Sequence, residues 1–132
     1  MKEVRVSPAK FRLMAEAEFA RIPKELRDLL VNVTIEILDS PGEEADDLED
    51  GDENDATDLL GLYCGPERED FLGSEAHGQL PAKVYLYQWN LEDSVESIEH
   101  LQKEIRLTLR HELAHHFGFD DDELEKVWPE GA

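Results

Sequence analysis

Cysteine is nearly absent from this chain, and long apolar runs are missing altogether. Cys64 is the single cysteine among 132 residues, so no disulfide can form within the chain and no cysteine pair is present for a structural zinc site. No apolar run is long enough to span a bilayer, and the N-terminus lacks the apolar core of a signal peptide. These absences predict a cytoplasmic protein.

Basic residues are also few. The chain has 13 lysines and arginines against 33 acidic residues, which gives a formal net charge of -20. Binding to nucleic acid or to an anionic membrane needs positive surface, so this balance argues against both. A basic protein partner remains compatible with it. The length predicts one domain over residues 1–132, large enough for a single hydrophobic core.

Helical and extended periodicities alternate along the first part of the chain. Ser7 and Pro8 mark a helix start, and apolar residues at helical spacing follow it at Phe11, Ala15, Phe19 and Ile22. A short second helix is predicted over residues 24–30. Strands are predicted over residues 31–38, 59–64 and 82–87, from alternation or from short apolar runs that turn residues bound.

Between the first two predicted strands lies an acidic segment. Residues 39–58 include many acids, no basic residue and Leu48 as their one large apolar side chain. Such a segment cannot offset its ordering entropy by burial, so a mobile loop is predicted. A calcium loop is the alternative, but neither Asp46 nor Asp50 begins a complete EF-hand pattern. Residues 67–79 read as an irregular connection in which His77 is exposed.

The last part of the chain predicts a long helix and a short one. The long helix should begin near Asp93 or Ser94 and run to Phe117, and its apolar residues on more than one side predict that it is buried between layers. A short helix over residues 121–128 should follow, ended by Pro129. The fold class is therefore α+β, with N-terminal helices, a small mixed sheet of three or four strands, a long buried helix and a short C-terminal helix. The apolar stripe of the long helix is formed by Ile98, Leu101, Ile105 and Leu109, and the short helix should dock through Leu124, Val127 and Trp128.

The long helix ends in a metal-binding pattern. His111 and His115 are four residues apart, so on a helix both imidazoles leave the same face and can share one cation. Glu112 is adjacent to the first histidine, where its carboxylate can reach a water beside the metal. That is the geometry of a general base. His116 lies well round the helix from His111 and is interpreted as a structural or supporting residue.

Catalytic zinc needs a third protein ligand and one open position. Gly118 can adopt the left-handed conformation that ends a helix and turns the chain back, which would bring a following side chain towards the metal. Asp121 is the best placed. Asp120, Asp122 and Glu123 compete with it, although each could instead be an N-cap or a first-turn acid of the next helix.

The run from His111 to Asp121 resembles the HExxHxxGxxD form of the zincin metallopeptidases. The whole chain is similar to the small bacterial zincin-like metallopeptidases that carry this motif near their C-terminus. The resemblance extends to the helix that leads into the motif and to residues 17–33, 60–65 and 80–87, and it covers most of the chain except the acidic segment. It implies that His111, His115 and Asp121 are zinc ligands and that Glu112 is the catalytic base.

Two departures separate the chain from typical metzincins. The third ligand is an aspartate where metzincins have a histidine, and Met1 and Met14 both precede the motif, so neither can form a Met-turn. A standard metzincin C-terminal subdomain is therefore excluded. In zincins a strand near the cleft commonly pairs with extended substrate, and residues 80–87 are a candidate for such an edge strand.

The predicted activity is hydrolysis of peptide bonds. Zinc would lower the pKa of a bound water towards about 7 and polarise the peptide carbonyl, while Glu112 would pass the proton of this water to the leaving amine. Tyr85 and Tyr87 are interpreted as packing residues, with oxyanion donation as the alternative. The competing hypothesis is a non-enzymatic interaction protein, in which the acidic surface engages a basic partner and the metal is structural or vestigial.

Overall fold

The computed structural model describes residues 4–28, 30, 32–45, 59–65 and 81–129, apart from the side chains of His115 and His116. Its elements form an α+β fold with a small mixed sheet, which confirms the predicted fold class. The predicted connection over residues 67–79, with His77, lies outside the described residues. The helices are α1 (Pro8–Ala20), α2 (Lys24–Arg27), α3 (Gln88–Asp93), α4 (Ile98–Phe117) and α5 (Asp121–Val127), and the strands are β1 (Val33–Leu38), β2 (Gly61–Cys64) and β3 (Ala82–Tyr87).

The three described strands form one sheet in the order β1-β3-β2. β3 is parallel to β1, with Val33 opposite Ala82, and antiparallel to β2, with Gly61 opposite Leu86. The hypothesis that residues 80–87 form an edge strand is therefore wrong, because β3 has a partner on each side. Its central position agrees with its burial: Val84 and Leu86 are fully enclosed, as is typical of a strand covered by neighbours.

Helix α4 joins the sheet to the N-terminal helices. It packs against α1 as well as against β2 and β3, and Leu101, Ile105 and Leu109 are buried in the shared core. The predicted burial between layers follows from this apolar stripe. Ile98 departs from the prediction, because it is the first residue of the helix and remains 39% exposed. In α1 the predicted face is buried at Phe11 and Ala15 and partly buried at Phe19; Ile22 is also buried, but it lies beyond the end of the helix at Ala20.

The predicted start of the long helix, near Asp93 or Ser94, is wrong. The chain passes from β3 directly into α3, which ends at the cap residue Ser94. α4 begins only after Ser97, whose Oγ accepts a hydrogen bond from the backbone N–H of His100 at 3.0 Å, as an N-cap does. Two serines three residues apart both fit a helix start, and the pattern alone favoured the wrong one.

Long-range hydrogen bonds hold α3 in place. The buried carboxylate of Glu92 accepts hydrogen bonds from the backbone N–H of Val6 at 2.9 Å and from the Gln88 side-chain amide at 3.1 Å. The same amide donates to the carbonyl of Val6 at 2.9 Å. A buried carboxylate is tolerated because these partners replace water.

The start of the acidic segment is ordered. Residues 43–45 form a 3-10 helix, Ala45 is buried, and the Tyr87 hydroxyl donates a hydrogen bond to Glu44 Oε2 at 2.9 Å. Burial alone would raise the pKa of Glu44, but hydrogen bonds from the backbone N–H groups of Gly42 and Glu44 and from Tyr87 outweigh it and lower this pKa. Burial, together with the bond to Glu44, raises the pKa of Tyr87. Residues 46–58 lie outside the described residues, so the mobile loop stays a prediction.

Two C-terminal details complete the fold. α5 confirms the predicted short helix, and Leu124 and Trp128 are buried as expected, but Val127 is 44% exposed and does not dock the helix. α2 ends at Arg27, earlier than predicted. Among the helices of the described ranges, none has the length and apolar character required to cross a membrane.

Candidate active site

The metal-binding pattern lies in the last two turns of α4. His111, Glu112 and His115 all belong to this helix, so the two histidine positions are separated by about one turn on one side of it. His111 is exposed, and Glu112 is half-buried. The side chain of His115 is outside the described part of the chain. What the backbone establishes is that His111, Glu112 and His115 lie on one continuous helix.

A pocket of about 420 Å³ opens beside the motif, between α4 and the segment that leads into β2. His111 and Glu112 contribute to its lining, so the predicted ligand and the predicted base face one cavity. The described residues that line it are Leu59, Leu60, Gly61, Glu104, Leu107, Thr108, Arg110, His111 and Glu112.

Two hydrogen bonds fix the wall opposite α4. The carbonyl of Leu59 accepts a bond from the Asn90 side-chain amide at 2.7 Å, and the carbonyl of Leu60 accepts one from the backbone N–H of Tyr87 at 3.0 Å. The wall is thereby tied to the junction between β3 and α3. A cleft wall held by the sheet keeps its distance from α4.

Gly61 allows β2 to approach the helix beside the predicted base. A Cβ atom at Gly61 would lie 2.6 Å from Thr108 Cγ2, 2.9 Å from the backbone oxygen of Tyr85 and 3.5 Å from Glu112 Cγ. The first two distances are too short for any side chain to occupy the position without movement. Glycine therefore sets the separation between strand and helix at this point.

The turn after α4 confirms the left-handed, helix-ending conformation predicted for Gly118. Its φ angle is 69°, in the left-handed region, and the N–H of Phe119 donates to the carbonyl of Ala114 at 3.1 Å. The rings of Phe117 and Phe119 stack with centroids 5.3 Å apart. The left-handed glycine and the bond from Phe119 back to Ala114 are features of a Schellman motif, and the ring stack adds an apolar contact across the turn. It turns the chain sharply into α5.

The acids that follow this turn divide into two groups. Asp120 is the N-cap of α5 and forms a reciprocal capping box with Glu123: Asp120 Oδ1 accepts from the Glu123 N–H at 2.8 Å, and Glu123 Oε1 accepts from the Asp120 N–H at 3.3 Å. These two carboxylates therefore have a structural role, because they cap α5. Asp121 and Asp122 are exposed and make no side-chain hydrogen bond or ion pair within the described residues.

The donor set matches the chemistry of a catalytic zinc site. Two imidazoles and one carboxylate are a known ligand combination for catalytic zinc, with one position left open. Among the side chains that the structure describes, no three His, Cys, Asp or Glu residues are close enough to hold one metal ion. The predicted set includes His115, whose side chain is outside that search, so His111, His115 and Asp121 stay predicted ligands.

Sequence reasoning missed the rest of the pocket. Glu104 and Thr108 precede His111 by seven and three residues, so helical periodicity alone could have placed them on its face. Gly61 also gave a signal, because a glycine inside an apolar strand pattern suggests close approach of another backbone. Leu59 and Leu60 gave none, since their position opposite α4 is set by tertiary structure.

Comparison with known proteins adds a family. A family model described as zincin-like metallopeptidase matches residues 30–129, a range that begins just before β1 and includes the whole motif and α5. No curated protein matches the chain.

Proposed function

The chain belongs to the zincin-like metallopeptidase family, and on that premise we propose that it hydrolyses peptide bonds with zinc held by His111, His115 and Asp121. The observation that supports this most directly is the pocket. Its lining includes His111 and Glu112 together, so a bound peptide would meet the predicted ligand and the predicted base in the same space. A structural zinc site is normally closed by a fourth protein ligand, whereas this one would face an open cavity.

The roles of the side chains follow from their chemistry. Zinc in such a site supplies Lewis acidity, which polarises a peptide carbonyl and makes water more acidic. Glu112 takes the proton of the attacking water and delivers it to the leaving amine. Glu112 is half-buried beside Gly61 and Thr108, so neighbouring atoms restrict the orientation of its side chain. A restricted base favours efficient proton transfer.

Asp121 is favoured as the third ligand because of its place in the chain. It is the first residue of α5, directly after the turn at Gly118, and its carboxylate is not used for helix capping. The carboxylate of Asp122 is likewise not used for capping, whereas that of Glu123 takes part in the capping box. These two remain the alternatives to test.

Zinc binding and hydrolysis should be measured separately. After reconstitution the protein should hold about one zinc per chain. Glu112→Gln keeps the size of the side chain but removes the proton acceptor, so zinc should stay bound while hydrolysis of an unstructured peptide falls by about two orders of magnitude or more. Full activity in this variant would refute the assigned mechanism.

Asp121→Ala tests the ligand, with Asp122→Ala as its matched control. Asp121→Ala should weaken zinc binding, whereas Asp122→Ala should not. The control is matched because each variant removes one exposed carboxylate from the same turn of α5. The opposite pattern would move the third ligand to Asp122. Zinc binding without hydrolysis of any peptide would favour the non-enzymatic interaction protein.

A further inference from the structure

The pocket continues beyond the motif towards the start of α4. Its far end is lined by Glu104, whose side chain is 27% exposed. Three leucines, Leu59, Leu60 and Leu107, supply apolar wall to the pocket, and Thr108 is the polar residue of the lining between Glu104 and His111 on α4. A cavity with apolar walls and one carboxylate at its end matches a side chain that has an apolar stem and a cationic head.

The Glu104 end of this pocket carries a negative charge. Arg110 also lines it, but its guanidinium is bonded to Glu125 at 2.7 Å and to the carbonyl of Trp128 at 2.8 Å, and its side chain is only 12% exposed. Within the described residues, the one ion-pair partner of Glu104 is His100 at 3.6 Å, which is charged only when protonated. Glu104 and Glu112 are therefore the negative side chains of the lining. A zinc ion at the motif would offset the charge of Glu112, so Glu104 is the carboxylate that attracts a cationic side chain, and the net charge of -20 adds to this attraction.

Helix geometry places this carboxylate at a definite distance from the reaction. Glu104 precedes His111 by seven residues, which is two turns and about 10 Å along the axis of α4. An extended peptide advances about 3.3 Å per residue. A side chain that reaches Glu104 thus belongs to a residue about three positions or fewer from the bond that is cleaved.

We propose that Glu104 and the leucine walls form a specificity subsite for a lysine or arginine side chain of the substrate, within about three residues of the cleaved bond. The inference rests on the proposed peptidase function and names its substrate class. Pairing of the cation with Glu104 is strengthened because the apolar walls exclude part of the water. A neutral side chain of similar length would contact the same leucines without forming this ion pair.

The test compares peptides that differ at one position, using the full-length protein loaded with zinc. Unstructured peptides carry lysine, arginine, methionine or glutamate at each of three positions on either side of the cleaved bond, and kcat/KM is measured for each. Lysine and arginine should exceed methionine by about tenfold at one position, and glutamate should be poorest. The preference should shrink as the salt concentration rises.

Variants locate the subsite. Glu104→Gln should lower kcat/KM for the lysine and arginine peptides about tenfold and so remove their advantage over methionine. Glu104→Lys should turn the preference towards glutamate. The matched control is Glu99→Gln, which removes the same charge from an exposed position of α4 outside the pocket lining and should leave the preference as in the wild type. Thermal unfolding of each variant shows that it is folded.

The outcomes distinguish failure of the subsite from failure of the proposed peptidase function. If the zinc-loaded wild type cleaves peptides but lysine and arginine have no advantage, or if the advantage persists in Glu104→Gln, the subsite is refuted and the peptidase function stands. If Glu99→Gln lowers the preference as much as Glu104→Gln, the preference comes from overall charge and the subsite is again refuted. If the zinc-loaded wild type cleaves none of the peptides, the proposed function fails and the subsite fails with it.

Discussion

Replacing Gly61 by alanine should damage both stability and activity, for a reason that the distances around it make explicit. The added methyl group would lie 2.6 Å from Thr108 Cγ2 and 2.9 Å from the backbone oxygen of Tyr85, whereas ordinary contacts begin at 3.4 Å. Thr108 is buried on α4, and the Tyr85 carbonyl belongs to the central strand. Neither can yield easily, so β2 must move away from the helix.

The cost can be estimated from overpacking in well-packed cores, which destabilises by about 1–3 kcal/mol. For a chain of this size, that corresponds to a fall in Tm of roughly 3–15 °C. Activity should fall as well, because β2 and α4 form the two sides of the pocket. A misplacement of about 1 Å in such a site can cost about a hundredfold, so a loss of roughly tenfold to a hundredfold in kcat/KM is expected for Gly61→Ala.

Two further variants test whether the close approach of β2 to α4 at Gly61 causes these losses. Thr108→Ser removes the nearest methyl group, so it should be less harmful in the Gly61→Ala background than in the wild type, as a double-mutant cycle measures. Gly65→Ala is the matched control: its Cβ would lie 2.6 Å from Ala82 Cβ, which is equally crowded, but Gly65 does not line the pocket. It should lower Tm and leave kcat/KM of the folded protein unchanged. Additive effects in the cycle, or equal losses of activity in both alanine variants, would refute the close-approach argument.

Two other predictions concern the turn and the hydrogen-bonded pair outside the site. Gly118→Ala should destabilise the metal-free protein by about 1–2 kcal/mol, because its φ of 69° is costly for a residue with a Cβ, while Gly118→Asn should cost less; equal unfolding free energies for alanine and glycine would contradict this. Tyr87→Phe should cost about 1–2 kcal/mol near pH 7, because it removes a hydrogen bond to a carboxylate. The folded-state pKa of Glu44 is lowered, so its stabilisation is present above the unfolded-state pKa and is lost as pH falls through the folded-state value. The difference in unfolding free energy between Tyr87→Phe and the wild type should therefore shrink in acid. Denaturant titrations that show a constant difference would refute the assignment.

The elements that sequence reasoning predicted well are those that carry their own periodicity. The strands β1 and β3, the apolar face of α1 and the turn at Gly118 all follow from spacing or from one diagnostic residue. α3 was not predicted, because its place depends on two hydrogen bonds with Val6, more than eighty residues away in the chain: the Val6 N–H donates to Glu92, and the Gln88 amide donates to the Val6 carbonyl. No local sequence pattern predicts hydrogen bonds between residues so far apart in the chain.

The candidate site shows the same division. The positions of His111, Glu112 and His115 follow from the motif because all three lie on one helix. The pocket does not follow, because its second wall is supplied by Leu59 and Leu60, about fifty residues earlier, and is held by groups from β3 and α3. A motif predicts which side chains share a face, but the opposite wall of a cleft is a property of the whole fold.

The position of α5 also depends on contacts that the motif does not include. The capping box and the turn at Gly118 determine where the helix begins, but they do not fix it to the rest of the molecule. Burial of Leu124 and Trp128 in the core does so. Arg110 adds a polar link: it lies on α4 one residue before the motif, and its guanidinium binds both Glu125 and the carbonyl of Trp128. Since Asp121 opens α5, the spacing between the histidines and the third predicted ligand depends on these contacts, none of which the HExxHxxGxxD pattern includes.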